Sequence, residues 1–188
     1  MRENRSRLLS LVPGRILCVP LLVACLFFSK SPEARWAAFA IFVVASITDW
    51  LDGYLARIWE QQSTLGRMLD PIADKLLVGA TLLALVYDQT ITGWSLWAAL
   101  IILSREILVS GLREFLAELN VKIHVTQLAK WKTTFQFIAL ALLLAGPAAH
   151  FLPGLTDLGT FILWMSALLT LVTGYDYLKA GIRHAIER

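Results

Sequence analysis

Residues 49–75 read DWLDGYLARIWEQQSTLGRMLDPIADK. Four aspartates, Asp49, Asp52, Asp70 and Asp74, flank or interrupt apolar runs within that stretch. Each is expensive there: an aspartate at the centre of a membrane helix costs about 2.5–3.5 kcal/mol, and somewhat less toward an end. Their spacing is regular. Asp49 and Asp52 are three apart and Asp70 and Asp74 four apart, so each pair shares one helical face. Gly53 and Ala56 lie close to the first of these faces and leave space beside it.

The rest of the chain sets the surroundings. Of its 188 residues 57% are hydrophobic and only 16% charged, well below the roughly one quarter charged of a soluble domain. Six apolar segments, at 11–28, 36–58, 70–87, 92–116, 133–148 and 158–178, mostly approach the roughly 20 residues needed to cross a bilayer. The expected fold is therefore an all-α integral membrane bundle of six transmembrane helices in a single domain, 1–188. No linker and no internal repeat divides it. The basic N-terminus, MRENRSR, opens like a signal peptide, but the apolar run behind it continues without a small-residue cleavage site and reads as a retained helix. Cys18 and Cys25 are seven apart in that run, which a straight helix cannot bridge, so they read as small hydrophobes. His124, His150 and His184 are scattered and lack zinc-like spacing.

Charge fixes the expected orientation. All but Lys30 and Arg35 of the 17 Lys and Arg fall on one side of the bilayer when the segments alternate, which puts both termini in the cytoplasm. The outer connections, 88–93 and 146–157, hold no Lys or Arg. Trp36, Trp94 and Trp97 stand at outer ends and Trp59 and Trp131 at inner ones, as interfacial anchors do. The basic residues form no stripe suited to nucleic acid. Anionic lipid or a phosphorylated substrate is their natural partner.

Segments two and three run in opposite directions, so depth can be compared. At 1.5 Å per residue, Asp49 lies ~18 Å and Asp52 ~22 Å below the outer end of segment two, against ~20 Å for Asp74 and ~26 Å for Asp70 in segment three. In a hydrocarbon core about 30 Å thick, all four lie in the inner half, from just above the inner third for Asp49 to well within it for Asp70. Singly, each has an ordinary explanation. Asp70 before Pro71 suits a helix N-cap, Asp74 and Lys75 suit a first-turn charge pattern, and Asp49 suits a buried polar contact. Protonating some of them would relieve their repulsion; left charged, four carboxylates at matched depth need more positive charge than Lys75 and Arg57 bring. Hard divalent cations, Mg²⁺ or Mn²⁺, supply it, and such a cluster has room for two.

The arrangement also resembles a known signature. Asp49-x-x-Asp52-Gly53-x-x-Ala56-Arg57, eight residues, then Gly66-x-x-x-Asp70-x-x-x-Asp74 is similar at every fixed position to the motif of the CDP-alcohol phosphotransferases. Eight specified residues coincide by chance on the order of 10⁻¹⁰ per start point. The resemblance implies a six-helix, homodimeric membrane enzyme that passes a substituted phosphoryl group from a CDP-linked donor to an alcohol and releases CMP. It implies that Asp49, Asp52 and Asp70, with Asp74, hold two divalent ions and that Asp74 is also the general base. It further implies that Asp52, Gly53, Ala56, Arg57 and Gly66 meet the nucleotide.

The stretches SREILVSGLREFLAEL and LAKWKTTFQFIALALLL bear on the acceptor. Arg105, Arg113, Lys130 and Lys132 beside a metal–phosphate site read as a pocket for an anionic acceptor, although Lys130 and Lys132 cannot share one helical face. Pairing of Arg105 and Arg113 with Glu106, Glu114 or lipid phosphate is the plainer alternative. Together with Glu106, Leu112, Glu114, Thr133 and Gln136, these cations are similar to those of bacterial family members that join sn-glycerol 3-phosphate to CDP-diacylglycerol. That likeness covers most of 45–144 and implies the inner bacterial membrane, with the site facing the cytoplasm. Before the first helix, relatives often carry Pro-Asn-x-Leu-Thr-x-x-Arg; only Arg15 has a counterpart here. Rival readings keep the chemistry with serine, inositol phosphate or phosphatidylglycerol as acceptor, or make the chain a divalent-cation transporter or a purely structural membrane protein. A transporter calls for acids near the midplane, whereas these gather at one end.

Overall fold

The computed structural model describes the backbone of residues 17–58, 64–118 and 127–186, and their side chains except at 50, 52–58, 64–71, 117–118, 127–130, 176–177, 180 and 181–186. The described residues are helical, with no strand. In chain order the helices are α1 (Leu17–Phe28), α2 (Pro32–Ile58), α3 (Thr64–Tyr87), α4 (Ser95–Glu118), α5 (Gln127–Ala145) and α6 (Leu155–Ile186); a single 3-10 turn, Gly146–Ala148, follows α5.

Each apolar segment of the sequence lies within or overlaps one helix, and α2, α3 and α6 outrun their apolar runs. The largest correction is in α3. Asp70–Pro71, expected as a helix start, lies inside it, and the helix begins at Thr64. Pro71 has no N–H to give the carbonyl four residues back, yet the helix continues on both sides of it. A start signal of the expected kind is found instead at α2. There Ser31 Oγ accepts the N–H of Ala34 at 3.2 Å, Pro32 occupies the first helical position, and Glu33 sits in the first turn.

Helix α5 is central: it packs against α2, α3 and α6, while α6 also packs along α4. Gly159 permits the close α5–α6 approach, since a Cβ there would lie 3.1 Å from both Leu142 and Leu143. Among the described residues, α2 and α3 both lean on α5, and their direct backbone contact is slight. Successive helices alternate in direction, and this divides the bundle into two unlike halves. One half is a continuous apolar core, built from Leu22, Phe42, Leu82, Leu85, Ile102, Leu140, Leu143 and Leu163, which are 2% exposed or less. These residues come from the middle of α1, the C-terminal halves of α3 and α5 and the N-terminal halves of α2, α4 and α6. The polar residues of the next section lie in the other half.

The core end is closed by a buried ion pair. Arg35 of α2 pairs with Asp88 just past α3, donates to Thr90 Oγ1 at 2.9 Å and reaches the Leu144 carbonyl of α5 at 3.5 Å. Exposed aromatics ring the same end: Trp36, Phe151, Tyr87, Trp94 and Trp97. Trp36 stacks on Phe151 and Phe27 on Tyr87, with centroids 6.5 and 5.0 Å apart.

Among the described residues, every helix exposes apolar side chains, for example Leu21, Val44, Leu83, Leu100, Ile138 and Leu168. Among the described residues, two helices, over Ser95–Leu116 and Leu155–Tyr175, are long and apolar enough to cross a membrane. Cys18 and Cys25 are free.

Candidate functional site

Asp49 lies in the second half of α2 and Asp74 in the first half of α3, and both are partly buried. The charged groups acting on the Asp74 carboxyl are Asp49, Glu106, Lys75 and Lys132, drawn from four helices. The same carboxyl opens on a small pocket lined by Lys75, Val78, Glu106, Thr133, Gln136 and Phe137, with about 20 Å³ of space, room for one water. Val78 and Phe137 close it on the core side. Phe137 is held in turn against Phe42 of α2, ring centroids 5.6 Å apart.

Periodicity explains why these residues meet. On α3, Asp74 and Val78 are four apart, and on α5, Thr133, Gln136 and Phe137 are three and four apart, so each set forms one face. Glu106 and Ser110, four apart on α4, face the gap between α3 and α5. Lys75 Nζ donates to Ser110 Oγ, tying α3 to α4. Glu106 Oε1 accepts from Lys132 Nζ and also from Arg105 Nη1 at 3.2 Å, tying α4 to α5. Arg105 Nη2 donates to Thr173 Oγ1 at 3.0 Å, tying α4 to α6.

The sequence-derived site residues distribute as follows. Asp49, Asp74, Arg105 and Lys132 belong to this polar half. Lys132 is buried at 4% exposure, and its charge is met by Glu106. Arg113 stands exposed on α4, two turns or ~10.5 Å beyond Glu106. Asp52, Gly53, Ala56 and Arg57 continue α2, Gly66 and Asp70 belong to α3, and Lys130 to α5; their side chains lie outside the described residues. So do Arg15, Trp59, His124 and His184. The sequence does not single out Ser110, and Glu106, Thr133 and Gln136 enter only through the resemblance, without a role in the site. Which helical face turns inward depends on packing.

A divalent cation fits this half of the molecule. Asp49 and Asp74, from helices with little direct contact, act on each other electrostatically, and like charges so placed are eased by protonation of one or by a cation between them. Their oxygens are the donors that Mg²⁺ and Mn²⁺ prefer. Among the described residues alone, no three His, Cys, Asp or Glu side chains form a metal cluster, and the Asp52 and Asp70 side chains fall outside that set. Beside the acids, two lysines, a threonine and a glutamine offer what a phosphorylated alcohol requires: cations for its phosphate and hydrogen-bonding partners for its hydroxyls.

Comparison with known proteins agrees with this chemistry. Residues 7–172 match the CDP-alcohol phosphatidyltransferase family. A protein of Rickettsia bellii (strain RML369-C) is 44% identical over 178 residues, covering 95% of each chain. One of Rickettsia prowazekii (strain Madrid E) is 42% identical over 180 residues, 96% of this chain and 97% of its own. One of Haemophilus influenzae is 39% identical over 169 residues, 89% and 88% of the two chains. All three are named CDP-diacylglycerol–glycerol-3-phosphate 3-phosphatidyltransferase. With most of its length matched, the chain belongs to the CDP-alcohol phosphatidyltransferase family.

Proposed function

We propose that this protein transfers the phosphatidyl group of CDP-diacylglycerol to sn-glycerol 3-phosphate, forming phosphatidylglycerophosphate and CMP. The observation that carries this reading is the pocket in which Asp74 meets Lys75, Glu106, Thr133 and Gln136, with Lys132 held at its edge by Glu106.

Asp74 takes the proton from the acceptor hydroxyl as its oxygen bonds to the phosphatidyl phosphorus. The bond from that phosphorus to the bridging diphosphate oxygen breaks, and CMP departs with the oxygen. Lys132 receives the acceptor phosphate, joined by Arg105 and, from the rim, by Arg113 and Lys130. An incoming phosphate competes with Glu106 for Lys132, so Glu106 keeps the cation neutralised while the pocket is empty of acceptor. Asp52, Gly53, Ala56, Arg57 and Gly66 receive the cytidine diphosphate, small residues there letting the nucleotide come close to the backbone.

Two Mg²⁺ or Mn²⁺ ions would be held by Asp49, Asp52, Asp70 and Asp74; when bound they neutralise the diphosphate and stabilise charge on the departing CMP. The chain crosses the membrane six times with both termini and the polar half in the cytoplasm, as a homodimer in a bacterial inner membrane. Support comes from the apolar outward faces and the aromatic ring at the core end. It also comes from Arg35, one of two basic residues assigned to the outer side, whose charge is met by Asp88.

The test is CMP release by purified protein given CDP-diacylglycerol, Mg²⁺ and a panel of alcohols. Turnover with sn-glycerol 3-phosphate well above serine, inositol phosphate and phosphatidylglycerol is expected. Turnover with serine and none with glycerol 3-phosphate would overturn the acceptor.

A further inference from the structure

Helix α6 carries a buried polar stripe that the chemistry above does not use. Ser166, Thr170 and Thr173 are four and three apart, so they share a face, and each is at most 1% exposed. Phe161, Met165, Leu168 and Val172 make the opposite, outward face apolar. A helix that only filled space would carry apolar residues inward as well, because buried hydroxyls need partners.

Ser166 and Thr173 find partners among the site residues, whereas the Thr170 hydroxyl between them has no hydrogen-bond partner among the described residues. Ser166 Oγ donates to the backbone carbonyl of Lys132 at 3.3 Å. Thr173 Oγ1 accepts from Arg105 Nη2 at 3.0 Å and turns its own proton toward the Leu169 carbonyl at 2.9 Å. Gly174 is next to it. A Cβ at Gly174 would lie 3.0 Å from Arg105 Cγ, 3.5 Å from Nε and 3.9 Å from Cδ, and these are its nearest neighbours. The Arg105 stem therefore lies across bare α6 backbone, with its guanidinium fixed at one end by Thr173 and at the other by Glu106.

We propose that Thr173 and Gly174 are positioning residues that seat Arg105 and, through Glu106, set Lys132 for the acceptor phosphate; this rests on the acceptor pocket assigned above. An arginine has several rotatable bonds, and its planar fork is useful only when oriented. The gap left by glycine and the hydroxyl of threonine remove that freedom before substrate arrives.

The experiment varies glycerol 3-phosphate at saturating CDP-diacylglycerol, and then the reverse, for wild type and the variants T173V, T173S and G174A. T173V keeps the shape and loses the acceptor atom; a rise of about tenfold in KM for glycerol 3-phosphate is expected, the size of one lost charge-assisted hydrogen bond. KM for CDP-diacylglycerol should stay within about twofold, and T173S should restore the acceptor KM because it restores the oxygen. G174A pushes on Arg105 alone and should raise the same KM, which keeps the test available should T173V fail to fold. Equal changes in both KM values, a fall in kcat only, or a T173S enzyme as impaired as T173V would each overturn the seat. Wild-type turnover of a different phosphorylated alcohol in place of glycerol 3-phosphate would overturn the acceptor reading instead, and the same comparison on that alcohol then decides the positioning role.

Discussion

Replacing Asp74 with asparagine keeps the size of the side chain and removes its capacity to take a proton. Asp74→Asn is expected to lower kcat by about 10²–10⁴-fold, the usual weight of a general base, while CDP-diacylglycerol binding stays measurable. CMP release and donor binding, measured side by side, check it; near-normal turnover would remove Asp74 from the role. At this scale the sequence singles out Asp49, Asp74, Arg105 and Lys132, whose side chains the structure describes in one polar half. Four aspartates near a membrane interface are too costly to be incidental, and helical spacing alone pairs Asp49 with Asp52 and Asp70 with Asp74. The partners of the basic residues were less legible. Glu106 can pair with several cations on sequence grounds. Its bond to Lys132 exists only because α4 and α5 bring residues 26 apart together.

Between elements, the ion pair of Arg35 with Asp88 is the strongest polar tie at the core end. Its side chains are 9% and 5% exposed, and Thr90 donates to Asp88 Oδ2 at 2.8 Å. Asp88→Ala would leave a buried guanidinium without its counter-charge, so a loss of about 3–5 kcal/mol in stability is expected. Thermal unfolding in detergent measures it, and an unchanged midpoint would mean the pair is better solvated than its burial implies. Helix identity was readable from apolar runs, but helix ends were not. Hydropathy falls where a helix leaves lipid, whereas backbone hydrogen bonding continues. Thus α6 runs on to Ile186, past the apolar run that ends near 178. Pro71 misled for a related reason: Asp-Pro is a common helix start, and here preceding turns extend the helix back to Thr64. That α2 and α3 rest on α5 more than on each other was beyond the reach of periodicity, which gives faces but not neighbours.

At the scale of the whole molecule, the two unlike halves carry the argument: an apolar, aromatic-ringed end and a polar end that gathers acids and lysines. The proposed orientation is checked with single cysteines in a chain whose Cys18 and Cys25 are replaced by serine. Trp94→Cys, at the aromatic end, should be labelled from outside intact cells by a membrane-impermeant maleimide. Glu114→Cys, exposed near the other end of α4, should react only after the cells are opened. The reverse pattern would invert the protein and put the carboxylates on the wrong side for a cytoplasmic donor.

The acids themselves are tested most directly by Mn²⁺ titration of the purified protein with CDP-diacylglycerol bound, followed by electron paramagnetic resonance, for wild type beside Asp49→Asn. Saturable Mn²⁺ binding in the wild type, weakened at least tenfold in Asp49→Asn and accompanied by loss of CMP release, is the predicted result, about 1.4 kcal/mol or more of binding energy. Identical titrations for the two proteins, with CMP release surviving removal of divalent ions by EDTA, would contradict a cation held between α2 and α3.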